Sequence, residues 1–475
     1  MLLFGRPDIG TLAASKDAKM LIRFLRHSKE SRVRQVAAGA LGRLGDTRAV
    51  GPLTVALGDG DWGVRVDAAT ALGQIGDTRA VGPLLAVLND EQTLVREHAA
   101  TALGQLGDTR AVDALLAAVN DQENSVREHV FAALGQLGDG RAVAPLVAAL
   151  SHGDWPVRRH AADALGRLGD ARAVAPLVTA LSEQEWLVRS SAAQALDRLG
   201  WSPDNGAAGA AYWIARRQWG KCVKIAAIDP LIAATRDERV RADATRTLVK
   251  IGARAVDALI GALNDDDDGE VRRAAADALG QIGDPRATGP LLAALNDDHD
   301  NYVRRAAAGA LGQIGDAGAV DALITALSDQ HGFVSAAAAD ALDRLGWNPD
   351  PGPAGAAYWV AKAQWDKCVQ AAAVEPLIIA LQDYDRREAA ARVLGQICDT
   401  RAVDPLLALL HDRFPDMGRA AARALVAMYS ARKLDEGQKA RLLAERDFIT
   451  YQDHVPEHEG VDAYEDRSIG VAFPL

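Results

Sequence analysis

Three histidines, His98, His129 and His160, recur at intervals of 31 residues, and Glu97 and Glu128 stand directly before the first two. Imidazole beside carboxylate is suited to metal ligation and proton transfer. Glu97, His98, Glu128 and His129 are therefore candidate ligands for an ion held between neighbouring segments. Three such positions in line reach too far to share one ion, and the plainer reading puts them on the solvated flank of a helix. A second cluster, Asn264–Glu270 (NDDDDGE), has the acidity of a calcium loop. Counted from Asn264, such a loop keeps Asp266, Asp268 and Gly269 but meets Ala275 where a closing glutamate is required, so it reads as an acidic turn. Cys222 and Cys368 follow Lys221 and Lys367. A thiol nucleophile needs a lowered pKa and a base, and no histidine recurs beside either, so both read as small core hydrophobes. In the tail, Pro456 keeps His454 and His458 from lying one helical turn apart, although Asp453, Glu457 and Glu459 are close by. No catalytic residue, metal or cofactor is assigned.

The elements that would hold these side chains follow from repetition. Thr70–Ala100 reads TALGQIGDTRAVGPLLAVLNDEQTLVREHAA, and Thr101–Phe131, Ala132–Ala162 and Asp163–Ala193 echo it. A fixed period in this range marks a solenoid. Within one unit, Arg79–Leu88 carries Val81, Leu84, Leu85 and Leu88 at helical spacing, with Pro83 in the first turn. Thr93–Leu106 carries Leu94, Val95, Ala99, Ala102, Leu103 and Leu106 as one apolar stripe. Gly107 suits the left-handed residue after a helix, and Asp108 suits the next N-cap. Each unit is thus two antiparallel helices, and the many alanines allow close stacking. Neither helix can bury its stripe alone, so neighbouring units must supply the core.

VREHAATALGQLGDTRAVDALLAAV and its relatives along the chain resemble HEAT repeats of the phycobilisome-lyase-like type found in prokaryotes. Asp59, Asp90, Asp121, Asp266 and Asp298 precede Arg65, Arg96, Arg127, Arg272 and Arg304 by six residues, the Asp/Arg ladder of such repeats. The resemblance implies an all-α fold, an α-α superhelix of about twelve helix pairs. It also implies a protein–protein interaction scaffold that binds a protein or peptide along the concave face. Two alternatives come with it. One is a bilin lyase or lyase-like chaperone. The other is a di-iron oxidoreductase similar to deoxyhypusine hydroxylase, which uses His-Glu pairs. Here the order is Glu-His, and the second set is replaced by Arg273-Ala274 and Arg305-Ala306, so that alternative is disfavoured.

On a helical wheel, the residue after each ladder arginine points furthest from the stripe, as do those four and eight later. Successive units read Glu97/Thr101/Gln105, Glu128/Ala132/Gln136, Arg159/Asp163/Arg167, Arg273/Asp277/Gln281 and Arg305/Gly309/Gln313. The row turns from acidic to basic while its frame is constant. Glu97, Glu128, Arg159, Arg167, Arg273 and Arg305 are accordingly the candidate partner-binding residues.

The order along the chain is a lead-in at 1–15, repeats at 16–200, a Trp-rich insert at 201–227, repeats at 228–346, a second insert at 347–373, repeats at 374–430, and a cap with an acidic tail at 431–475. The two inserts match at an offset of 146: Trp201, Tyr212, Trp213, Trp219 and Cys222 recur as Trp347, Tyr358, Trp359, Trp365 and Cys368. Each should form a Pro-Asp turn, a helix and a short second helix near the Lys-Cys pair, with Trp219 and Trp365 largely buried. Cys398 replaces the glycine expected after its helix. A net charge of −11 argues against nucleic acid as the partner. Three cysteines suit a reducing, cytoplasmic setting. No apolar run reaches membrane-spanning length, Met1–Ile9 is too short for a signal peptide, and a monomer is expected.

Overall fold

The structure, a computed structural model, describes residues 14–411, 415–431 and 434–445 together with Thr11 and Ile449. Among the described residues every regular element is helical and there is no strand. The chain divides into two compact units, Met1–Ile225 and Ala226–Leu475, each an α-α superhelix of antiparallel helix pairs. The first unit runs α1 (Ala18–His27) and α2 (Ser31–Leu44), α3 (Val50–Ala56) and α4 (Trp62–Ile75), α5 (Val81–Ala86) and α6 (Thr93–Leu106), α7 (Val112–Ala117) and α8 (Asn124–Leu137), α9 (Val143–Ala149) and α10 (Trp155–Leu168), and α11 (Val174–Ala180) and α12 (Trp186–Arg198). It ends with the first insert, α13 (Ala207–Ala215) and α14 (Trp219–Ile225). The second unit runs α15 (Ile228–Ala234) and α16 (Arg241–Ile251), α17 (Val256–Asp265) and α18 (Gly269–Ile282), α19 (Thr288–Asp297) and α20 (Asn301–Ile314), and α21 (Val320–Ala326) and α22 (Gly332–Arg344). The second insert follows as α23 (Pro353–Ala361) and α24 (Trp365–Gln370). Then come α25 (Val374–Ala380) and α26 (Arg387–Ile397), α27 (Val403–Leu409) and α28 (Pro415–Ser430), and α29 (Glu436–Ala444).

Local chemistry sets these boundaries. The helix Thr93–Leu106 has the limits its stripe requires, and Gly107 closes it at φ 67°. Cys398 takes the same left-handed conformation at φ 54° in spite of its side chain. The recurring GDTRA turn is a cap and a clasp together. In one copy Asp77 accepts from the Arg79 backbone N–H, and both of its oxygens accept from the Arg79 guanidinium. That guanidinium holds the Asp77 carboxyl at about 2. The equivalent arginines also reach one repeat back, Arg110 to the Thr78 carbonyl at 3.3 Å and Arg141 to the Thr109 carbonyl at 3.0 Å.

Second helices stack so closely that a mid-helix glycine is needed. A Cβ at Gly104 would lie 2.9 Å from Cα of Ala133 in the next repeat, and one at Gly280 would lie 2.6 Å from Cα of Ala310. Such packing buries the alanine-rich stripes that neither helix could bury alone. Leu94, placed on the stripe by its spacing, is instead 44% exposed. It occupies the first turn of α6, next to the fully buried Val95.

The ladder differs from its sequence pattern in an instructive way. The arginine donates to the backbone carbonyl of the aspartate six residues earlier, as Arg96 does to Asp90 at 2.9 Å. Its carboxylate partner comes from the next repeat. Arg34 forks onto Asp59 at 2.7 Å, Arg96 onto Asp121 at 2.8 and 2.9 Å, Arg272 onto Asp298 at 2.8 and 3.0 Å, and Arg304 onto Asp329 at 2.8 and 3.1 Å. Hydrogen bonds from Arg34 hold the Asp59 carboxyl below its ordinary range. Each ladder arginine thus ties a turn to its own helix and to the following repeat.

Candidate partner-binding face

The second helices of each pair carry the predicted row. In the second unit it opens into a groove of about 360 Å³ lined by Arg273, Asp277, Tyr302, Arg305, Asp340 and Arg344, among others. Arg273 is steered by Glu270, one turn earlier, at 2.7 Å. Arg305 is exposed. Asp277 keeps an open surface, but neighbouring helices crowd it enough that burial raises its carboxyl pKa, while Arg273 and Arg305 pull the other way. Tyr302 is 51% exposed and stacks on Phe333 with ring centroids 5.4 Å apart. Alternating charge with an aromatic edge can hold a peptide by ion pairs and ring contact.

Tyr302, Asp340 and Arg344 fall outside the row as the ladder arginines mark it. In α22 the place of the ladder arginine is taken by Ser335. Counting from Ser335 puts Asp340 and Arg344 in frame, so the signal was present but its marker residue had changed.

The first unit's row is different. Glu97 and Arg159 are half-buried, and Glu128 and Arg167 are exposed. Nδ1 of His98 lies 2.8 Å from Oγ1 of Thr70, whose hydroxyl donates to the Val66 carbonyl. His129 Nδ1 donates to the Ser125 carbonyl at 2.7 Å, and Nε2 of His160 is 3.3 Å from Oε1 of Glu128. Burial lowers the pKa of His98, helped by His129, and burial lowers that of His160 against the pull of Glu128. One nitrogen of His98 and one of His129 are therefore spent on structural contacts. No group of three or more His, Cys, Asp or Glu side chains able to hold an ion occurs among the described residues.

The remaining candidates make structural contacts. Asp266 accepts from the Asp268 N–H and pairs with Arg236, while Asp268 caps α18. Cys222 and Cys368 are fully buried, and burial pushes both thiols to about 11. The tail cluster Asp453, His454, Glu457, His458 and Glu459 lies outside the described residues.

Both inserts are helix pairs, and Trp219 and Trp365 are partly buried, less completely than Tyr212 and Tyr358. Trp365 packs against the core, and the fully enclosed positions of the inserts include Tyr212, Cys222, Tyr358 and Cys368. The tyrosine hydroxyls donate back to the preceding repeat, Tyr212 to Asp197 and Tyr358 to Asp343, the latter at 2.6 Å. In the first insert, an open cleft of about 410 Å³ is lined by Arg217, Gln218, Trp219, Gly220, Lys221 and Lys224.

No helix among the described residues is long and apolar enough to cross a membrane. Among solved structures the chain is similar to the CpcE–CpcF phycocyanin lyase complex from Nostoc sp. PCC7120, at 21% identity over 63% of this chain and 93% of that one, with a TM-score of 0.32. Human deoxyhypusine hydroxylase in complex with glycerol matches at 25% identity over 56% of this chain and 96% of that one, with a TM-score of 0.25. Kap95p, from its complex with RanGDP, matches at 14% identity over 94% of this chain and 72% of that one, with a TM-score of 0.35. No curated protein matches in sequence. The model of HEAT repeats matches residues 18–93, 52–134, 81–152, 112–197, 228–311, 290–375 and 372–436. With helix pairs, inter-repeat ladder and family model all coinciding over most of its length, the chain belongs to the HEAT-repeat family.

Proposed function

We propose that the chain is a protein-interaction scaffold whose second-helix face seats a protein or peptide partner. The observation that carries this reading is the groove of the second unit, where Arg273, Asp277, Arg305, Asp340 and Arg344 alternate in charge beside Tyr302. These side chains are not consumed by the ladder. Asp277, Arg305, Asp340 and Arg344 are exposed on closely stacked helices, with Asp340 also paired with Lys362, and give a partner fixed charges to read. The first unit carries a row of its own in the same frame, Glu97, Glu128, Arg159 and Arg167, with a different sign pattern.

The test is charge reversal. A crosslinked partner recovered with the wild-type chain should be lost at least tenfold with Arg159→Glu, Arg273→Glu and Arg305→Glu combined, while the helical circular-dichroism signal and melt are unchanged. If capture persists in that variant and falls with substitutions on the first helices, the face is wrong. A new visible absorbance on mixing with an open-chain tetrapyrrole would favour the lyase reading instead.

A further inference from the structure

We propose that the first insert is a separate docking point for an extended, acidic segment of a partner protein, built from Arg217, Lys221 and Lys224 around Trp219. The open cleft there is lined by three cations and no carboxylate. Two of the cations are positioned by aromatic rings: the Arg217 guanidinium sits 5.3 Å from the Trp186 ring centre, and the Lys221 ammonium 5.4 Å from that of Trp213. Lys221 and Lys224 are three apart on α14, on one side of the helix. An extended peptide presents alternate side chains about 7 Å apart on one face, within reach of two flexible lysine stems and an arginine. Gly220 has nothing within 4 Å of where a Cβ would stand, so a backbone can approach, and half-buried Trp219 offers an apolar floor.

The second insert shows that the fold does not need this charge. It has Ala363, Asp366 and Gln370 in place of Arg217, Gly220 and Lys224. The turn is nevertheless kept, at φ 54° for Ala363 against 52° for Arg217, and so are the short helix and its buried cysteine. A side chain in this left-handed turn is disfavoured, and alanine satisfies the turn as well as arginine. Arg217 and Lys224 are thus additions to a scaffold that stands without them, while Lys221 recurs as Lys367, set over Trp359 as Lys221 is over Trp213. A patch of three cations on a chain of net charge −11 is too small for nucleic acid, whose binding grows with the number of phosphates neutralised. Its open shape suits a strand of peptide, not an enclosed small anion.

The test uses the full chain and a fluorescein-labelled dodecapeptide of alternating glutamate and alanine, read by anisotropy. The wild type should bind it with salt-dependent affinity. Converting the first insert to the chemistry of the second (Arg217→Ala, Gly220→Asp, Lys224→Gln) should weaken binding at least tenfold with an unchanged melt, and Lys224→Gln alone should weaken it severalfold. The reciprocal change, Ala363→Arg, Asp366→Gly and Gln370→Lys, should add a second site of similar affinity. Arg273→Glu with Arg305→Glu should leave this binding within twofold, which separates its failure from failure of the second-helix face. The proposal is overturned if the wild type does not bind the peptide. It is equally overturned if the converted insert binds as well as the wild type, or if a single-stranded oligonucleotide or inorganic phosphate competes through the same residues more strongly than the peptide.

Discussion

The two inserts share a backbone and differ in what they are fastened to. Both turn through left-handed residues at matching places, Arg217 and Ala226 in the first and Ala363 and Ala372 in the second. Both set a tryptophan ring against the tyrosine, Trp201 to Tyr212 at 5.5 Å edge-on and Trp347 to Tyr358 at 5.7 Å tilted. Both need a glycine where a Cβ would run into an aspartate carbonyl, Gly209 against Asp204 and Gly355 against Asp350. Beyond the second insert, however, Arg386 reaches back across it to Oγ of Ser335 at 2.8 Å, the Gly332 carbonyl at 2.6 Å and the Ala361 carbonyl at 3.0 Å. Burial lowers its pKa, while Asp383 and Asp385 oppose the shift. Asp383 accepts from the Gly332 N–H. This is the ladder with its roles redistributed: the following repeat supplies both charges, and the preceding one supplies backbone and a serine hydroxyl. The residue matching Arg386 in the first copy is Val240. Matched sequence therefore fixes the insert itself, whereas its fastening is set by single residues outside it.

The largest expected effect lies at that fastening. Arg386→Ala strands two carbonyls and a hydroxyl in a half-buried place and should cost about 3 kcal/mol or more, whereas Val240→Ala should cost no more than about 2 kcal/mol. Urea unfolding of the full chain measures both, and an equal or reversed pair of losses would break the comparison. Next come the tryptophans. Since Trp219 and Trp365 are half-buried, alanine at either should cost about 2 kcal/mol, below the 3–5 kcal/mol typical of a fully buried aromatic. Because units couple chiefly to their neighbours, each loss should broaden the melt or split it. A melt left untouched would mean that the rings are held for a ligand.

Tyr212→Phe and Tyr358→Phe remove hydrogen bonds to carboxylates and should each cost about 1–2 kcal/mol. They also predict a pH effect. Burial, aided by the hydrogen bond to Asp197, pushes the Tyr212 hydroxyl up to about 12. An unfolded tyrosine ionises near pH 10, at about its reference value. Between these pH values the unfolded chain has lost a proton that the folded chain keeps, so stability falls as pH rises through that window. Tyr212→Phe should flatten that alkaline loss, and an unchanged slope would mean that the hydroxyl is not held as described.

The smallest effect tests the next difference between the copies. Cys398 answers to Gly252 at the offset of 146. Cys398 is strained at φ 54°, so Cys398→Gly should stabilise by up to about 1 kcal/mol. Gly252 has φ 71° and ψ −140°, a region that side chains avoid more strongly. Gly252→Cys should therefore destabilise by more than the first change gains. Thermal melts of the two variants decide whether this asymmetry holds.

What the amino-acid order determined alone is what acts over one helical turn. The 31-residue period, the limits of α6, the aspartate caps, the left-handed residue after second helices such as α6 and the paired inserts all depend on contacts three or four residues apart or on a single φ. Tertiary structure decided what depends on the neighbouring repeat. An aspartate six residues before Arg96 and another 25 residues after it are both compatible with the ladder pattern. Only stacking shows that Asp90 gives its carbonyl and Asp121 its carboxylate. The same holds for Leu94, on the stripe by period yet 44% exposed, and for Trp219, which is only partly buried while Tyr212 and Cys222 are buried. It holds for Arg386 as well, whose partner Gly332 lies 54 residues away. Helical periodicity tells which way a side chain points, but what it meets there depends on the distance and register of the next helix. In this chain those are set by glycines such as Gly104 and Gly280, pressed against a facing alanine.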